Sequence, residues 1–209
     1  MDLLELFLAD VPVCDAGYTI RDGKIFPLDT REWEPGWPGY TFYNAFDYSG
    51  LFLDFAALSR GNKPTPDEDL IEFASRYGLL FSGYHPQLPA IVNRNTVKEW
   101  QDQIRNMRNA VQLWKTGHNS DALHHIYNGP VKLVAELNFK TDNLELQCES
   151  LLSALYLQLY FAIKGSKTFN ECAWCGSWFE ILPPATRNTR KFCSNACKQA
   201  EDRHRKGGK

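Results

Sequence analysis

The residues that carry most chemistry here are cysteines, and four of the six fall close together near the C-terminal end of the sequence. They run Cys172-x2-Cys175-Gly176, then, after seventeen residues between the pairs, Cys193-x3-Cys197. Thiolates suit a zinc ion, which takes four ligands in a tetrahedron at about 2.3 Å. Two cysteines three positions apart reach one ion only if the backbone folds into a tight knuckle. Gly176, directly after Cys175, suits that turn because glycine tolerates positive φ. Four cysteines close the coordination shell and leave no position for water or substrate, so the expected role of a single Zn²⁺ is structural and no catalytic residue is assigned. No histidine is followed two residues later by glutamate, so the zinc deaminase pattern is missing. The alternative of two disulfides or four free thiols suits neither this spacing nor a reducing compartment. Cys14 and Cys148 stand alone and read as small buried hydrophobes.

Those ligands need elements to hold them. Trp178, Phe179 and Ile181 suit the first strand of a small hairpin, with Pro183-Pro184 and the polar run to Thr189 as its loop and Lys191-Phe192 returning to the metal. Ser194 is placed to cap a helix from Asn195 to Lys206, which sets Cys197 in the first turn, near the positive end of the helix dipole. Knuckle, hairpin and helix together predict a treble-clef-like finger over residues 166–209. A module this small has little core, so its folding should depend on the metal.

Charge is distributed unevenly. The net charge is only −2, yet residues 183–209 hold Arg187, Arg190, Lys191, Lys198, Arg203, Arg205, Lys206 and Lys209 against Glu201 and Asp202. A basic appendage on an acidic body is the usual footprint of nucleic-acid binding, and Trp174 and Trp178 could stack on bases. The competing reading is that these cations offset the −2 of a four-thiolate zinc site and that the finger docks on a protein.

The remainder, residues 1–165, reads as a mainly helical α+β domain for ligand sensing or assembly. Tyr18, Ile20, Ile25 and Pro27 flank Asp22-Gly23, a favoured hairpin turn. The aromatic stretch from Glu32 to Phe46 reads as an irregular segment pinned by its rings, with a ligand surface as the alternative. Leu51 to Ser59 predicts a short helix. Thr65, Pro66 and Glu68 predict a capped start for a second, with Leu70, Phe73, Ala74 and Tyr77 on one face and Gly78 ending it. Thr96 and Glu99 predict a capping box for the longest helix, which Gly117 ends. Along it Val97, Trp100, Ile104, Met107, Val111 and Trp114 form a stripe, expected to pack within the chain rather than across a homodimer seam. A helix over 119–127 carries His124 and His125, which point in different directions and cannot share a metal. Two strands follow, over residues 131–139 and 144–150, and then a helix from Leu151 to Ile163, apolar on nearly every side. That run of 13 residues is shorter than the roughly 20 a membrane span needs, and no targeting segment is visible, so the expectation is a cytoplasmic protein with no membrane partner. The run 164–167 is the expected boundary between the two parts.

Cys172-x-x-Cys175-Gly176-x-x-Phe179, Phe192-Cys193-Ser194-x-x-Cys197 and Arg203-x-Arg205 resemble the C-terminal finger of the bacterial CGNR zinc-finger proteins and related uncharacterised zinc-ribbon proteins. Leu53-Asp54-Phe55-Ala56, Phe73-Ala74-x-x-Tyr77-Gly78-Leu79, the helix bearing Trp100 and the apolar helix before the finger are similar to the N-terminal domain of that family. The resemblance covers about three quarters of the chain and is tighter at the finger. It implies a stress-induced transcription regulator that binds DNA. One departure stands out: where the family has Gly-Asn-Arg after its last cysteine, this chain has Lys198-Gln199-Ala200. The zinc ligands carry over, and the DNA-reading residues do not carry over with them. An enzyme site among Asp47, Asp54, His85 or the aromatic stretch is the third reading, which no spacing supports.

Overall fold

The computed structural model describes residues 7–28, 39–59, 63–81, 95–129, 131–138, 143–176, 178–181 and 190–207. Its fold is α+β, with helices packed on small sheets.

Helix formation follows the local chemistry most closely in the helix Val97–Lys115. The capping box forms as expected: the Glu99 N–H donates to Thr96 Oγ1 at 3.1 Å, and the Thr96 N–H donates to Glu99 Oε2 at 3.3 Å. Trp100, Ile104, Met107 and Val111 of the stripe are buried, covered within the chain by the helices Leu51–Ala57, Asn119–Tyr127 and Leu151–Lys164. We name these helices in chain order α1 (Leu51–Ala57), α2 (Asp67–Tyr77), α3 (Val97–Lys115), α4 (Asn119–Tyr127) and α5 (Leu151–Lys164), with α6 (Asn195–Gly207) in the finger. Trp100 is 0% exposed, packs against the rings of Phe55 and Phe73, and donates its indole N–H to Asn95 Oδ1 at 3.1 Å. Helix α5 runs through the middle of the body and is buried on almost every side, as its uniform apolarity requires. Its one buried amide, Gln158, is satisfied: Nε2 donates to Ala45 O at 2.8 Å and Oε1 accepts the Phe52 N–H. On α4, His124 bonds Asn128 through Nε2 at 2.9 Å.

The expected capping box at Thr65 and Glu68 does not form. Pro66 is the N-cap residue of α2, in an extended conformation with ψ 148°, so the helix begins one residue later than the pattern suggests. The Thr65 hydroxyl donates instead to Leu58 O at 3.1 Å, tying the end of α1 to the start of α2. Gly78 ends α2 as expected. A side chain there would place Cβ 2.5 Å from Pro12 O, and its φ is +81°, so only glycine lets this helix end approach the neighbouring strand.

That strand belongs to small sheets. Strands β1 (Phe7–Leu8), β7 (Asn143–Cys148) and β6 (Leu133–Asn138) form one sheet, β1 parallel and β6 antiparallel to β7. The β6–β7 hairpin was expected and the parallel addition of β1 was not. Strands β3 (Tyr18–Arg21) and β4 (Lys24–Pro27) form the expected hairpin, with both Asp22 and Gly23 at positive φ, as a two-residue turn matched to strand twist demands. The aromatic stretch is corrected in part. Tyr40–Asn44 is regular strand β5, paired antiparallel with β2 (Asp10–Cys14), because Tyr40, Thr41, Phe42 and Tyr43 all suit a pleated surface. The earlier part of that stretch, residues 32–38, lies outside the described residues.

Cys14 and Cys148 are buried, and burial pushes the Cys148 thiol up to about 12. A thiol reagent is therefore expected to spare both in the native protein and reach them only after unfolding, which mass spectrometry of the labelled protein would read directly. Among the described residues no helix is long and apolar enough to cross a membrane.

Candidate metal centre

The finger grows out of α5 through a short link. Lys167 N–H returns to Ala162 O at 3.0 Å, so the chain turns sharply at Gly165-Ser166 and enters strand β8 (Thr168–Glu171) at once. Strand β9 (Trp178–Ile181) pairs with it antiparallel, Glu171 opposite Trp178 and Thr168 opposite Ile181. The knuckle Cys172–Cys175 is thus part of the turn that closes this hairpin. This corrects the sequence reading, in which Trp178–Ile181 opened a hairpin closed by Lys191-Phe192. Its partner lies before the knuckle instead, and Lys191 meets the finger through its carbonyl, which accepts the Ala173 N–H at 2.8 Å. The Pro183–Thr189 stretch, including Arg187, lies outside the described residues.

The knuckle itself is as the spacing predicts. Gly176 N–H donates to Cys172 O at 2.9 Å, and Gly176 adopts φ +73°. On the other side of the site, Ser194 Oγ accepts the Cys197 N–H at 3.2 Å and caps α6, which places Cys197 in the first helical turn. The four sulfurs of Cys172, Cys175, Cys193 and Cys197 converge, all within 4.8 Å of one another. The Cys175–Cys193 and Cys193–Cys197 separations are 3.7 and 3.4 Å. A tetrahedron with metal–sulfur bonds of about 2.3 Å has edges of about 3.8 Å, so the cluster could hold one metal ion after small adjustment.

The electrostatics point the same way. Burial alone would raise the Cys172 thiol, but the backbone N–H groups of Cys175, Cys193 and Trp174 aim at its sulfur and outweigh burial, bringing it to about 6. Cys193 moves oppositely, to about 12, through burial and then the neighbouring thiols of Cys197, Cys172 and Cys175. Cys172 is prepared as a thiolate, while burial and the adjoining thiols make Cys193 resist ionisation. A divalent cation at the centre relieves that resistance, which is why metal binding and thiol deprotonation go together.

The other predicted contact residues divide. Arg190 is committed to the site's own architecture: its guanidinium donates to the carbonyls of Phe192 and Cys193 and lies over the Phe179 ring at 5.1 Å. Lys191, Lys198, Arg203 and Arg205 are exposed. Arg203 Nε donates to Gln199 O at 3.3 Å, and Arg205 sits 4.0 Å from Asp202. Lys206 lies within the backbone of α6. Trp174, 42% exposed at the knuckle, packs edge-on against His204 of α6.

A cleft of about 370 Å³ separates the knuckle from α1 and α2, lined by Asp54, Glu72, Arg76, Tyr77, Glu171 and Trp178 among others. Sequence reasoning missed that Asp54 faces the finger. Desolvation raises its carboxyl, while a hydrogen bond from the Trp178 backbone N–H and the Arg76 charge act in the other direction. Of the other residues in the enzyme reading, Asp47 is exposed at the end of the 3-10 turn Ala45–Asp47, and His85 lies outside the described residues.

No protein-family model matches this chain, and none of the curated proteins matches it. The cysteine geometry is the functional feature that stands on its own.

Proposed function

We propose that the chain is a bacterial, cytoplasmic, non-enzymatic transcription regulator of the CGNR-like type, whose treble-clef-like finger holds one structural Zn²⁺ and contacts DNA. The convergence of four cysteine sulfurs within 4.8 Å carries the zinc assignment, since zinc is the divalent ion that best suits four thiolates in a tetrahedron. The DNA assignment is supported by α6, which starts at the metal and presents Lys198, Arg203 and Arg205 to solvent. Arg190, engaged with the carbonyls of Phe192 and Cys193, supports the fold of that surface.

The test is a salt titration of binding to random-sequence duplex DNA with protein of assayed zinc content. Binding should weaken steeply as salt rises. The double variant Arg203→Ala/Arg205→Ala should flatten the plot of log affinity against log salt by roughly 1–2. No binding at low salt by fully loaded protein would overturn this reading.

A protein partner is the second reading, favoured by one observation. Trp174 is a large exposed ring next to His204, the kind of aromatic anchor protein interfaces use. Under that reading the basic residues of α6 offset the charge of the thiolates.

A further inference from the structure

The β8–β9 hairpin has two occupied faces. Register places Phe169, Glu171, Trp178 and Glu180 on one side of it and Asn170 and Phe179 on the other. The second side belongs to the finger: Phe179 is buried under Arg190, and Asn170 Nδ2 donates to Arg190 O at 3.2 Å. The first side belongs to the helical body. The Phe169 ring stands edge-on to Phe52 at 5.6 Å and to Trp114 at 6.1 Å, and Phe52 and Trp114 are themselves 6.0 Å apart. Trp178 lies beneath the Lys115 ammonium, 4.0 Å from its ring centre. Its backbone N–H donates to the Asp54 carboxylate. Lys167 and Glu180 pair at 2.9 Å at the open end of the hairpin. Gly50, before α1, receives both rings' strands so closely that a Cβ there would sit 3.3 Å from Phe169 Cδ1 and from Trp178 Cβ.

We propose that this hairpin is a metal-dependent clamp, by which occupancy of the four-cysteine centre is transmitted to the helical body. The proposal rests on the metal-centre reading and goes beyond it. A bound ion would join Cys172, directly after β8, and Cys175, three residues before β9, to Cys193 and Cys197, which lie across the finger. With the ion bound, the closed end of the hairpin is fixed and Phe169 and Trp178 are held in register against Phe52, Trp114 and Lys115. Without it, two four-residue strands remain, too short to hold their own closed end, and the order of the hairpin rests on the contacts of Phe169 and Trp178 alone. The rings then leave their seats, and Phe52 at the start of α1, 1% exposed in the closed form, loses its cover. Because coupling is reciprocal, removing the seat must also weaken the metal site.

The experiment uses the full chain, with bound zinc counted and helix melting followed by far-ultraviolet circular dichroism, before and after chelation. The expected result is about one zinc per chain and a fall in the helix melting midpoint of roughly 5–10 °C when it is removed. Phe169→Ala should melt earlier with zinc bound, respond to chelation by less than half as much, and lose zinc to a competing chelator more readily. Phe169→Leu, which keeps an apolar group in the seat, should show the same changes at smaller size if the alanine variant does not fold. One zinc per chain with an unchanged helix midpoint on removal overturns the clamp and leaves the metal centre standing. A full chelation response in either Phe169 variant does the same. No bound zinc overturns both.

Discussion

Cys172→Ser is expected to strip the protein of metal and take the order of the finger with it. A serine hydroxyl stays protonated at neutral pH and cannot replace a thiolate. Cys172 is also the most buried of the four ligands, and three backbone N–H groups, from Cys175, Cys193 and Trp174, converge on its sulfur. The substitution removes a ligand and the anion those donors are arranged around. Structural zinc contributes on the order of 10 kcal/mol to small domains that fold around it, so the loss should be nearly complete. Metal content after dialysis should fall from about one ion per chain to near zero. Cys14→Ser, in a buried site far from the cluster in sequence, should leave metal content unchanged and serves as the control. Retention of stoichiometric metal by the Cys172 variant would mean that the ion sits elsewhere.

Trp100→Ala should be the most damaging single change in the helical body, at about 3–5 kcal/mol of unfolding free energy. The indole is fully buried where α3 meets α1 and α2, with Phe55 at 6.5 Å and Phe73 at 6.1 Å. Truncation removes the ring and leaves a cavity between helices that cannot close without moving α3. It also removes a donor from Asn95 Oδ1, which keeps the Phe81 N–H at 3.3 Å as a partner. Urea unfolding of the two proteins compares their stabilities. Trp100→Phe should cost less, because it keeps much of the volume and gives up chiefly the N–H bond. A cost below about 1 kcal/mol for the alanine variant would contradict a close-packed core at this position.

The sequence was most legible where one short stretch holds the whole cause. Metal spacing, the capping box at Thr96 and Glu99, and the Asp22-Gly23 turn each need only a few neighbouring residues, and each forms. Thr65 shows how a local signal is lost to a neighbour. Its hydroxyl had the right spacing to cap α2, but Leu58 O at the end of α1 offered a partner, and Pro66 stayed extended. Pairings between distant strands were not legible at all: nothing near Phe7-Leu8 announces a parallel neighbour at Leu146-Gln147. The finger hairpin falls between these cases. Phe169 and Trp178 sit three residues outside the first cysteine pair on either side, a symmetry that marks strands meeting around a knuckle. Pro183-Pro184, after Ile181, carry the more familiar turn signal, at the other end of β9. That Asp54 and Lys115 would meet Trp178 could only be seen once α1 and α3 were side by side.

The two-faced hairpin bears on how this protein can change over evolutionary time. Small metal-bound cassettes spread between proteins by gene fusion when they carry every contact they need. The segment from residue 166 onward does not. Cut free, it presents Phe169 and Trp178 to water. Fused to another host, it meets no Phe52, no Trp114 and no glycine at the place where Gly50 lets it come close. A fusion cut at the 164–167 link is therefore expected to separate Phe169 and Trp178 from the seats that α1 and α3 give them.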